Sequence, residues 1–358
     1  MIPTPTFRTD QNPRLPERPS TRESKHEQAL DIALGFAILL TVLGHSLDSL
    51  YSSGTLPSES PSQSLIVFVI NLFQMPLFFF VSGNRASGTR RSAFSTFGRL
   101  LPSLVYPYFL WSVLKSLAPL LFSGYTAIET SLLSLYKILW IPVFPFWLLY
   151  ALFFCQIAYL LIRRRSYLLQ IILAAILFIS PQFFLGPIRD SDLQILLETA
   201  HGFLYFVLGA VSVAQVRQFS RWVAIPATVL FALFAIFDYQ SQFAGPIAAP
   251  AALPAGIAGV IATLAWSRMI ASRDNWLTRG IAFCGRYWIS IYLMHIFVIT
   301  GMRFALEQFT LPLAAAIFPV FIVTASTALG IALPLGFNWL TSKFELDKWF
   351  GLPHIEMP

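Results

Sequence analysis

Charge is what this chain of 358 residues has least of: 11% is Asp, Glu, Lys or Arg, against 56% hydrophobic residues. A soluble domain carries about a quarter charged residues to cover its surface, so this scarcity excludes an ordinary soluble fold. Cysteine is nearly absent as well. Cys155 and Cys284 both fall inside apolar windows, with no CxxC and no Cys/His ligand spacing. That excludes a disulfide framework, a zinc site and a thiol nucleophile. Short segments of alternating polarity are missing, which excludes a transmembrane β-barrel. No parallel or inverted repeat stands out, whereas inverted halves are the usual mark of a secondary transporter.

What the chain has instead is apolar windows of about 20 residues, the length that crosses ~30 Å of hydrocarbon. Ten candidate spans follow: 30–50, 64–82, 100–121, 144–162, 167–185, 194–214, 222–238, 248–267, 281–302 and 312–341. The last is long and is expected to bend near Pro319 or Pro334. Backbone groups in lipid must satisfy one another, so the expected fold is all-α, a polytopic transmembrane helical bundle of about 10 helices. Residues 1–28 are polar and proline-containing, lack the apolar core of a signal peptide, and read as a disordered cytoplasmic tail. Residues 29–342 form the membrane domain, and 343–358 a short cytoplasmic C-terminal tail.

The formal charge of +7 raises the question of nucleic acid. With the N-terminus inside, however, 20 of the 24 Lys and Arg residues fall on the inner side. Lys115, Lys137, Arg189 and Arg303 are the exceptions. This is the positive-inside asymmetry; it supports an even span count with both termini cytoplasmic and removes the case for a nucleic-acid partner.

Few residues in the spans can carry chemistry. His45 closes the first apolar run, "DIALGFAILLTVLGH". Counting 1.5 Å per residue from position 30, it lies ~22 Å from the inner face. Such groups are costly in a membrane and face a cavity or a partner. Asp48, three residues on, lies on nearly the same face and is a candidate to orient His45 as a general base. The alternative is a neutral imidazole bonded between helices. Asp31, ~21 Å away along the helix, reads as an interfacial residue. His295 lies at a similar depth, ~21 Å from an inner edge near Ile281; it too is either structural or chemical. In "NLFQMPLFFFVSGNR", Pro76 frees a carbonyl and Gln74 offers an amide at middle depth, a candidate substrate contact. Arg85, Arg90, Arg91 and Arg99 follow at the inner side. They are ordinary loop charges or, as a cluster beside a helix end, a site for an anionic phosphate. Glu198 and His201 form another i, i+3 pair, either a patch lining an outer vestibule or a water-exposed interfacial pair.

Taken in order, these stretches resemble the membrane-bound acyltransferase 3 family, especially its fucose-4-O-acetylase-like members. "DIALGFAILLTVLGH" is similar to the family's first span, "FQMPLFFFVSG" to its second, and "FGRLLPSLVYPYFLW" to its basic-then-proline start of the third. "PFWLLYALFF" and "GRYWISIYLMHIF" resemble later motifs, so the likeness runs from about residue 28 to 303. The resemblance implies acyl transfer, usually of acetyl, from cytoplasmic acyl-CoA to a saccharide hydroxyl, in a multi-pass protein of the bacterial cytoplasmic (inner) membrane. Acetyl-CoA would be a donor substrate, with no permanently bound cofactor and no metal; the acceptor would be a cell-surface or lipid-linked glycan. His45 would be the family's first-span histidine, His295 that of the late motif and Arg99 the third-span arginine. Two positions depart: Leu34 stands where the family has Arg or Lys, and Gln74 where it has His. A flippase for a lipid-linked sugar and a catalytically silent relative remain as alternatives.

The charge asymmetry predicts topology. An alkaline phosphatase fused after Ser58 should be active, and one fused after Arg164 inactive; the reverse pattern would invert the orientation.

Overall fold

The computed structural model describes residues 21–52, 61–88, 92–118, 138–184, 194–241, 251–308 and 317–356. The described residues contain helices and no strands. In chain order the helices are α1 (Thr21–Ser52), α2 (Pro61–Ser87), α3 (Ala93–Leu100), α4 (Tyr106–Leu117), α5 (Trp147–Ile162) and α6 (Tyr167–Phe184). Then follow α7 (Gln194–Val211), α8 (Arg221–Ser241), α9 (Ala252–Ile270), α10 (Trp276–Arg286), α11 (Trp288–Gln308) and α12 (Ile317–Lys343). Six of them, α1, α2, α8, α9, α11 and α12, contain stretches long and apolar enough to cross a membrane. Shorter apolar helices lie within α5, α6 and α7. The chain is a multi-pass helical membrane protein.

α1 is the hub, packing against α2, α9, α10, α11 and α12. Every residue from Ala29 to Gly35 is buried, as befits a helix apolar all round. α6 and α8 lie at the rim, with Leu168, Ile172, Ile176, Leu233 and Phe237 exposed where lipid chains would cover them.

Three expectations need correction. Residues 21–28, read as disordered tail, are the first turns of α1. His26 Nε2–H donates to Asn84 Oδ1 at 3.1 Å and Glu27 pairs with Arg85 at 3.3 Å, which ties this polar stretch to α2. The third span is not one regular helix. Between α3 and α4 lies a π-turn, Leu101–Val105, closed by Tyr106 N–H donating to Leu101 O. Pro102 lies in its first positions and Pro107 just beyond it, and each lacks the N–H that a regular ladder needs. The ninth span begins at Trp288 rather than 281, because the helix stops at Tyr287 and Trp276–Arg286 forms the separate α10.

The C-terminal residues up to 356 form a packed strap. Leu352 and Ile355 are buried. Asn338 Nδ2 donates to Ser290 Oγ at 2.7 Å and Pro353 O at 3.0 Å. Tyr106 OH and Trp111 Nε1 on α4 donate to Trp349 O and Phe350 O at 2.6 and 2.9 Å. Gly351 turns the strap at φ 65°, where a Cβ would also meet Pro107.

The contact that sets register is between α1 and α10. A Cβ on Gly285 would lie 1.7 Å from Asp31 O, and one on Gly35 2.1 Å from Ile281 O. The two backbones touch because neither glycine has a side chain, the small-residue device of membrane helices. From that contact α1 runs ten residues to His45, and the α10–α11 segment ten residues to His295. The first is a rise of ~15 Å in helix; the second passes the break at Tyr287, and the two rings meet in a stack.

Gly285→Ala should therefore lower stability by ~1–3 kcal/mol through overpacking. Gly280→Ala, on the same helix with nothing within 4 Å of the new methyl, should be neutral or stabilising by up to ~1 kcal/mol. Thermal unfolding in detergent checks the contrast.

Candidate functional site

The histidines meet face to face. The rings of His45 and His295 stack with centroids 5.3 Å apart and planes 26° from parallel. His295 is fully buried, while His45 keeps partial exposure. His295 Nδ1 lies 3.0 Å from Ile291 O. A carbonyl only accepts, so Nδ1 carries the hydrogen and Nε2 holds the lone pair. His295 Nε2 and His45 Nε2 are both buried with no hydrogen-bond partner among the described residues. A buried polar atom left in that state costs ~1–3 kcal/mol, so each is a place where an incoming group gains a bond.

The walls come from three helices and one loop. Phe144 sets its ring edge-on to His45 at 5.2 Å. It is held there from both sides. Tyr292, one turn before His295, donates its hydroxyl to Pro145 O and accepts from Leu148 N–H at 3.3 Å. Lys115, from α4, donates to Phe144 O and lies 5.6 Å from the centroid of the Phe144 ring. No carboxylate pairs with this ammonium among the described residues.

One turn inward from His45, Thr41 donates to Ala37 O at 2.8 Å and to Gln74 Oε1 at 3.1 Å. Gln74 Nε2 in turn donates to Asn71 at 2.9 Å. Gln74 is thus a satisfied bridge between α1 and α2, close below the histidines. Asp48 is exposed, and no hydrogen bond joins it to His45 among the described residues. Glu198 and His201 sit elsewhere: α7 packs on α2, α5 and α6, and His201 lies against Phe178 at 4.7 Å.

The end of the bundle near the start of α1 carries a second polar layer, ~21 Å from His45 along the helix. Asp31 is its centre, with a side chain only 10% exposed. Arg85 Nη2 reaches it at 2.6 Å and Arg286 Nε at 3.5 Å. Arg85 also pairs with Glu27 at 3.3 Å. Arg85 is therefore largely committed to carboxylates, whereas Arg286 is 62% exposed. Arg99 is exposed on α3, and Arg90 and Arg91 lie outside the described residues. Leu34, one turn beyond Asp31, is buried in the apolar core. The positive charge that position 34 lacks reaches Asp31 from two other helices.

The site unites His45 with His295 and adds Lys115, Phe144 and Tyr292; the separate layer around Asp31 adds Arg286. Lys115 had a signal in the sequence, a lone charge inside an apolar window. Arg286 was counted with the inner loop charges, and only the α1–α10 contact brings it to Asp31.

A family model described as an acyltransferase domain matches residues 27–338. No curated protein and no solved structure matches the chain.

Removing the central carboxylate leaves two guanidinium groups without their shared counter-ion. Asp31→Asn should lower stability by ~2 kcal/mol, less than a fully buried pair because both arginines are partly hydrated. Arg286→Ala should cost under ~1 kcal/mol, since Arg85 still serves Asp31. Melting temperatures of the purified variants test this order.

Proposed function

Since the chain belongs to the acyltransferase 3 family, we propose that it is an integral-membrane O-acyltransferase, moving an acetyl or other short acyl group from acyl-CoA to a saccharide hydroxyl. The observation that carries this reading is the stacked pair His45–His295, with two buried ring nitrogens lacking partners among the described residues. A hydroxyl that enters beside His45 can donate to its Nε2. As that oxygen attacks the thioester carbon, the imidazole takes the proton, a service worth about 10²–10⁴ in rate. When the tetrahedral adduct collapses, the C–S bond breaks and the thiolate leaves with the proton from His45. His295, its tautomer fixed by Ile291 O, presents its own Nε2 to the same chamber and orders the acceptor hydroxyl or a neighbouring one. Gln74 holds Thr41 below and shapes the floor.

The donor side belongs to the inner arginines. Arg286 and Arg99 are exposed cations beside helix ends, suited to the phosphates of CoA; Arg85 holds Asp31 so that the cluster keeps its shape. Arg90 and Arg91 would extend it. The layer is separated from His45 by ~21 Å of helix. That span requires the extended pantetheine arm to enter the bundle while the nucleotide stays at the inner face. Asp48, three residues beyond His45 and exposed, is left to bear on His45 only once an acceptor is bound. The acceptor is a cell-surface or lipid-linked glycan approaching from the outer side of a bacterial cytoplasmic membrane.

The test uses membranes given labelled acetyl-CoA. Wild-type protein should label a glycan, and His45→Ala, at equal protein level, should lower labelling by at least 100-fold. Labelling that survives in His45→Ala would end this reading, and labelling independent of CoA would favour a flippase.

A further inference from the structure

Lys115 is hard to explain as architecture. It is a half-buried cation in the last turn of α4, with no carboxylate partner among the described residues. Charges in such places are costly and usually serve a function. Its hydrogen bond to Phe144 O does not require a charge: a neutral amide would satisfy that carbonyl with far less desolvation. The Phe144 ring offsets part of the cost through its π-face at 5.6 Å. What remains unaccounted for is why a full positive charge stands beside two imidazoles. The same Phe144 ring touches His45 at 5.2 Å, so the ammonium and the imidazole flank one residue.

We propose that Lys115 is a further catalytic residue that takes up the negative charge of the reaction; this rests on the acyl-transfer reading above. The step balances as follows. The acceptor oxygen bonds to the thioester carbon and loses its proton to His45 Nε2. The carbonyl π-pair moves onto oxygen, which becomes an alkoxide facing the Lys115 ammonium. The pair then returns, the C–S bond breaks, and the CoA sulfur leaves with the proton held by His45. Lys115 stays protonated throughout. At the adduct one negative oxygen lies between an ammonium and an imidazolium, so the chamber holds net +1 before and after and gains no charge in low dielectric. Without Lys115 the alkoxide would face the imidazolium alone.

The experiment compares four forms of the full-length protein in labelled acetyl-CoA assays: wild type, Lys115→Gln, Lys115→Arg and His45→Ala. Gln keeps a donor for Phe144 O and removes the charge; Arg keeps both. The expected result is a 100-fold or greater fall in kcat for Lys115→Gln, with KM for acetyl-CoA within threefold, as for loss of an oxyanion donor. Lys115→Arg should stay within tenfold of wild type. If Lys115→Gln turns over within fivefold of wild type while His45→Ala is inactive, the Lys115 role is overturned and the transfer reading stands. If His45→Ala is active, the transfer reading falls first. Should Lys115→Gln not accumulate, Lys115→Ala assayed with and without ethylammonium decides: added cation restoring turnover supports the role, and no restoration overturns it.

Discussion

Everything at the centre of this bundle depends on two backbones touching without side chains between them. Gly35 and Gly285 let α1 and α10 close until a Cβ would sit 1.7 Å from Asp31 O. In lipid there is no hydrophobic drive between helices, so close packing of small residues supplies the association. The contact also works as a ruler. It brings Arg286 to Asp31 at the inner end, and ten residues further on it lays one imidazole upon the other.

The polar groups of the interior divide into two kinds. The layer around Asp31 is mostly closed: His26 Nε2 with Asn84, Asn84 with Gly209 O, and Arg85 and Arg286 with Asp31, with His26 Nδ1 left buried and without a partner among the described residues. The middle layer is open. Among the described residues, His45 and His295 each keep a buried Nε2 without a partner, beside an ammonium that faces a carbonyl and a ring. Low dielectric makes an unsatisfied group costly and makes an incoming bond strong. A closed layer is what structure alone requires; an open one beside it is where a substrate gains most.

The aromatic neighbours explain how that open layer holds its shape. Tyr292 pins Pro145 and Leu148, which places Phe144 against His45, and Lys115 fastens the Phe144 carbonyl. The strap at Trp349–Ile355 then fixes α4, which carries Lys115, through Tyr106 and Trp111. The last residues of the chain thereby bear on a side chain far from them in sequence.

Hydropathy along the chain determined that this is a helical membrane protein; of the ten spans it suggested, six helices among the described residues are long and apolar enough to cross. Those properties follow from local composition and a rise of 1.5 Å per residue, so no neighbour is needed to read them. Which side chains share a face across helices was decided only by the fold. Asp48 is one turn from His45 and yet exposed, while Phe144 and Lys115, from distant parts of the chain, close on it. Arg286 reaches Asp31 across 255 positions, and Glu198 and His201 share a helix that packs on α2, α5 and α6. Rotation and register between helices are set by where small residues permit contact, and a linear pattern carries no record of that until the helices are packed.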